Sequence, residues 1–147
     1  MNILVPTDFS APSAHALGYA ETLASALGGT LHVVHIIQDI EYTEEWGNVY
    51  TKIKEIRDLV EERSREKLQQ IEQELRAGNI PFVSAFGYGR PDVALANYAS
   101  ERDINLIVIG VSGKAGVEHF VLGSTTERLL RKASCPVLAV RPKKTDA

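Results

Sequence analysis

Residues 110–125 read GVSGKAGVEHFVLGST. They follow an unbroken apolar run at 106–109 and lead into a helix-like segment through Lys132. Gly110 and Gly113 can take positive φ without steric cost and bring a ligand close to the main chain. Gly123 does the same just ahead of the helix. Ser124 has the character of an N-cap, and Glu127 completes a Ser-x-x-Glu capping box. The first turn of such a helix presents unpaired amides and the positive end of its dipole. The chemistry this offers is anion binding, phosphate above all, with the Ser124 and Thr125 hydroxyls as further donors. In a plainer reading the glycines only turn the chain and Ser124 only caps. Three glycines, a capped helix and a buried strand converging on one point favour phosphate over that reading.

Two familiar phosphate motifs do not match. Gly-x-Gly-x-x-Gly is absent, and Gly113-Lys114 is followed by Ala115 where a P-loop needs a magnesium-binding hydroxyl. Phosphoryl transfer needs a positioned base and charge stabilisers. Asp8, His35 and His119 are scattered, so no catalytic residue is assigned. His32 and His35 are odd-spaced on one strand and face opposite sides of it. They read as satisfied histidines, His35 being the nearer to a crevice, and no metal ligand set is visible. Arg90 reaches phosphates if its loop folds inward.

These residues need a frame. Residues 2–6 form a short apolar strand without alternation, as in a buried parallel sheet. Ser10 and Ser13 are candidate N-caps, Pro12 suits a first turn, and Gly28-Gly29 stops the helix between. Residues 30–37 are a β-branched second strand. Residues 38–50 form an acidic, aromatic connection containing Trp46. Ile53, Ile56, Val60, Leu68, Ile71 and Leu75 mark one face of a long helix over 51–76, with Gly78 as its C′ residue. Residues 80–86 form a third strand that begins at an edge because of Pro81. Gly87 and Gly89 then turn the chain, and Pro91 opens a third helix. Residues 106–109 and Val137–Val140 are strands four and five, with a helix over 124–132 between them. The alternation predicts a three-layer α/β/α domain over 1–142 with a five-stranded parallel sheet. Residues 143–147 form a polar tail.

The chain has 147 residues, 44% apolar and 24% charged, with a formal net charge of −3. That balance argues against nucleic acid as a partner. No apolar run suffices to span a membrane, and no signal peptide is evident. The single cysteine, Cys135, excludes an intrachain disulfide and suits a cytoplasmic location. It abuts Pro136 and reads as a small buried or edge residue.

Gly110-x2-Gly113-x9-Gly123-Ser124 combines with an opening strand ending Pro6-Thr7-Asp8-Phe9-Ser10. The chain closes on Ser134-Cys135-Pro136-Val137-Leu138-Ala139-Val140. In this order, over nearly the whole chain, these signatures resemble the universal stress protein family, in which the glycine pattern marks ATP-binding members. The resemblance implies the adenine nucleotide alpha hydrolase-like fold with strand order 3-2-1-4-5. Asp8 then falls beside Gly110, where the strand order reverses. It further implies that Pro6, Thr7 and Asp8 line adenosine and that the Ile36 main chain meets adenine. Gly110 and Gly113 would lie against ribose and phosphates, with Gly123, Ser124 and Thr125 holding the remaining phosphates. The residues themselves speak for the phosphate end and say nothing of adenine; Asp8 reads equally well as a turn acid near Ser10.

The expected function is an ATP-binding, nucleotide-responsive stress-signalling module acting on an unidentified protein partner. Magnesium or manganese can ride on the triphosphate. A slow ATPase or self-phosphorylating enzyme, and a nucleotide-independent interaction scaffold, are the alternatives. Family members often dimerise through the last strand, and Val137–Val140 would otherwise be an exposed apolar edge, so a homodimer is expected.

Overall fold

Strand alternates with helix along the chain. The strands are β1 (Asn2–Pro6), β2 (Thr30–Ile37), β3 (Phe82–Tyr88), β4 (Leu106–Gly110) and β5 (Val137–Val140). The helices are α1 (Ala11–Leu27), α2 (Val49–Ala77), α3 (Pro91–Glu101) and α4 (Ser124–Lys132). The computed structural model describes residues 1–38, 49–112 and 122–142. Trp46, Gly113, Lys114, His119, Phe120 and the tail lie outside these. The sheet order is β3-β2-β1-β4-β5, with every pairing parallel. The α/β class and the 3-2-1-4-5 order are therefore as the sequence and its resemblance implied.

Strand periodicity divides the core into two layers. Ile3, Val5, Leu31 and Val33 pack with Ala16, Leu17, Ala20 and Ala24 of α1 and with Leu68 and Leu75 of α2. Leu4, Val34, Ile107 and Ile109 pack on the other face, with Leu95 and Ala99 of α3 and Leu129 of α4. Because every connection is a parallel crossover, α1, α3 and α4 all begin at the carboxyl edge of the sheet.

Local chemistry sets the boundaries. Ser10 caps α1 by accepting from Ser13 N, Pro12 sits in its first turn, and Gly28 closes it at φ 64°. β3 starts at Phe82, two residues later than expected. Pro81 has no N–H and serves the ladder through its carbonyl, which accepts from Leu31 N at 2.9 Å. The strand then runs through Gly87, which is in the sheet and not in a turn. Its missing side chain makes room for Ile36, whose Cδ1 would lie 2.6 Å from an added Cβ.

α2 ends in a Schellman motif. Ile80 N donates to Leu75 O and Asn79 N to Arg76 O, each at 3.1 Å. The left-handed residue is Asn79, at φ 54°, so Asn79 and not Gly78 occupies C′. The apolar face of α2 is buried along part of its length. Leu68 and Leu75 are in the core and Ile71 packs against it, whereas Ile56 and Val60 are exposed. The 29 residues of α2 extend about 43 Å. The 7 residues of β3 cover about 23 Å. The first turns of the helix overshoot the sheet.

Candidate functional site

At the carboxyl ends of β2, β1 and β4 the structure opens a cleft of about 610 Å³. It lies where the strand order reverses, with β1 paired to β2 on one side and β4 on the other. Its volume is that of a small-molecule site.

Thr7 and Asp8 are held by a local network. Thr7 N donates to Val34 O at 2.9 Å, extending the β1–β2 ladder one residue past Pro6. The Thr7 hydroxyl accepts from Phe9 N at 3.0 Å and bonds the Ser13 hydroxyl at 3.2 Å. His35 Nδ1 donates to the Thr7 carbonyl at 2.7 Å, and its Nε2 lies 3.4 Å from the Ser64 hydroxyl. Asp8 accepts from Ser10 N at 3.0 Å and from the Ser10 hydroxyl, so it is the turn acid that begins α1. Burial opposes ionisation of this carboxyl, but the hydrogen bonds from Ser10 and Ser13 outweigh it and leave its pKa below the usual value. Asp8 is thus a fixed anionic acceptor at the mouth of the cleft.

Pro6, Thr7, Asp8, Ile36, Gly110 and Thr125 all line this cleft. Gly123 and Ser124 do not, though they immediately precede Thr125 in the chain as the cap and first residue of α4, and Gly113 lies outside the described residues. Two local expectations are corrected. Gly110 has no positive φ; it is glycine because the start of α1 packs on it. An added Cβ would stand 2.1 Å from the Pro12 carbonyl oxygen and 2.4 Å from its carbon. Ser124 is the first residue of α4, not its N-cap. Gly123 occupies the cap at φ 88° and offers no side chain, so the capping box does not form. Glu127 bonds Arg131 at 2.9 Å instead. Among the described residues the first turn of α4 therefore has no side-chain cap, and its Thr125 and buried Thr126 line the cleft.

Sequence reasoning missed part of the lining. Pro12, Ser13, Val34, Leu95, Ile109 and Thr126 also contribute. Strand alternation pairs Val34 with Ile36 and could have found the former. His35 faces away from the cleft, among Phe9 and Phe86. His32, on the cleft face of the sheet, is satisfied lower down by the Tyr98 hydroxyl at 2.9 Å. Arg90 turns to Asp92, 2.9 Å away, which Lys132 also binds at 2.6 Å. Cys135 is half-buried, and burial pushes its thiol pKa up. Among the described residues no group of His, Cys, Asp or Glu is arranged to hold a metal ion, and no helix is long and apolar enough to cross a membrane.

A doubly wound sheet with a cleft at its switch point defines a class of α/β ligand-binding proteins. The sequence profile of the universal stress protein family matches residues 1–141, and the chain belongs to that family. It is 30% identical to universal stress protein YxiE of Bacillus subtilis over 144 residues, 95% of this chain and 97% of the relative. Universal stress protein UspA from Lactobacillus plantarum superposes with a TM-score of 0.82 at 25% identity, covering 96% of this chain and 97% of that one. A universal stress protein family structure from Arabidopsis thaliana, solved with AMP bound, superposes at 0.69 over 99% of this chain and 94% of its own. At 13% identity that likeness is one of fold.

Proposed function

We propose that this chain binds an adenine nucleotide, ATP with its magnesium or manganese, in the cleft and signals its occupancy to a protein partner. One observation carries the reading. Gly123 begins α4 without a side-chain cap among the described residues, and Thr125 of its first turn lines the cleft, an arrangement that suits an anion. The opposite chemistry sits at the end of β1, where the ionised Asp8 repels phosphate and suits sugar hydroxyls. A nucleoside phosphate has this polarity, acceptor-seeking at one end and anionic at the other. The tips of β2 and β4 are two strand spacings apart, about 10 Å, a span in keeping with a nucleoside. Gly110, Gly113, Gly123, Ser124 and Thr125 would serve the phosphates, and Pro6, Thr7, Asp8 and Ile36 the adenosine. The cation would ride on the triphosphate. Binding is read here as signalling, since the carboxylate that lines the cleft, Asp8, is engaged by Ser10 and stands at the end of β1, opposite the helix start that would take the phosphates. The AMP-bound plant structure shares the fold and lends support. A homodimer through β5 is the second part of the reading, since among the described residues one side of that strand has no partner in the sheet and Leu138 is exposed.

Calorimetric titration of nucleotide-free protein with ATP and magnesium tests the site. Thr125→Asp is the control, because a carboxylate in a first turn favours the helix but repels phosphate. The parent should bind, and the variant should bind at least about tenfold more weakly, some 1.4 kcal/mol, while melting no lower. No binding by the parent, or equal binding by both, would overturn the phosphate assignment. Following ADP release separates a sensor from a slow ATPase.

A further inference from the structure

The overshoot of α2 leaves Ile56, Leu59 and Val60 at 53%, 47% and 43% exposure. One exposed aliphatic is ordinary; three within two turns of a single helix form a patch. Ile53, Ile56 and Val60 follow the a–d–a spacing of a heptad, with Leu59 beside them in the g position.

Charge along the projecting stretch is divided. Lys52, Lys54 and Arg57 outnumber Glu55 toward the start, whereas Asp58, Glu61, Glu62 and Glu66 outnumber Arg63 and Arg65 further along. A second α2 running parallel would meet like charge. One running antiparallel sets the net-positive start of each helix against the net-negative stretch of the other. If Ile56 layers on Val60 of the partner subunit, the heptad brings Leu59 next to Leu59 of the partner subunit near the two-fold axis. Lys52 then stands opposite Glu66 of the partner subunit, twice over. Both side chains are available for this. Arg65 is bound to Glu61 at 2.7 Å and Arg57 lies over the Tyr88 ring, but Lys52 and Glu66 are exposed with no ion-pair partner among the described residues.

We infer that the projecting half of α2 is an interface for a second copy of this chain, an antiparallel helix pair built on Ile56, Leu59 and Val60 with reciprocal Lys52–Glu66 contacts. The surface is separate from β5 and does not depend on the nucleotide reading.

Sedimentation of the full chain in a Leu138→Glu background, which removes any β5 pairing, tests it. That protein should still dimerise at micromolar concentration, and adding Ile56→Lys should make it monomeric with an unchanged circular dichroism spectrum. Adding Lys52→Glu should weaken the dimer about tenfold, and Lys52→Glu with Glu66→Lys together should restore it. A monomeric Leu138→Glu protein, or an association indifferent to Ile56→Lys, overturns the inference. A second measurement leaves β5 intact: Leu59→Cys with Cys135→Ser should form a disulfide-linked dimer on mild oxidation, and failure to cross-link counts equally against it.

Discussion

Asp92 is 3% exposed yet carries a full charge. The Lys132 ammonium is the main cause; burial opposes it, Arg90 adds to it, and the carboxyl is held down at about 2. The pair ties the first turn of α3 to the last turn of α4, the two helices that flank the cleft on one face. Neutralising the carboxylate weakens the charge-assisted hydrogen bonds it accepts from Lys132 and Arg90. Asp92→Asn should therefore lower the melting temperature at neutral pH. The folded-state pKa lies below the ordinary 3.8, so this contribution is present above that pH and is lost as pH falls toward 2. The variant should show a shallower loss of stability between pH 4 and 2 than the parent, and equal acid slopes would refute the assignment. Nothing in the sequence pairs Asp92 with Lys132, because 40 residues separate them and no periodic pattern links two separate helices on one face of a sheet.

Glycine roles show what sequence can and cannot say about elements. The pattern from Gly110 to Gly123 did mark the end of a strand and the start of a helix. It did not reveal that Gly110 is needed by α1. Gly110→Ala should cost about 1–3 kcal/mol as an overpacked contact, read as a lower denaturation midpoint without nucleotide present. A neutral substitution would mean that the start of α1 can yield. The elements themselves were legible, since apolar runs and helical spacing are local. Cap residues were less so: Ser10 was found because its hydroxyl reaches one turn ahead, while the cap of α4 was misassigned to Ser124 by one residue. Ser-x-x-Glu fits a cap in either register, and the positive φ of Gly123 decided between them. The face of α2 was read correctly as apolar, but burial depends on where the sheet stops, and helix periodicity contains no information on that. The strand order came from resemblance, because alternation of strand and helix permits other windings.

Assembly belongs to the whole molecule. The proposed β5 pairing predicts that the parent chain does not sediment as a monomer at micromolar concentration, and a monomer there would defeat it. With α2 as a second two-fold surface, the same chain would reach closed tetramers or open chains, depending on whether the two axes intersect. The parallel sheet has a further consequence, one of timing. Asn2 meets Asn105, 103 residues away, and β1 cannot take β4 as its neighbour until that much chain exists. At about 5–20 residues per second, roughly 5–20 s of synthesis separate the two. During that interval β1, β2 and β3 can assemble, with the side of β1 that β4 will cover still bare. The cleft has no β4 wall until then and no α4 until later still, so the candidate site is completed only well after β1, β2 and β3 have been made.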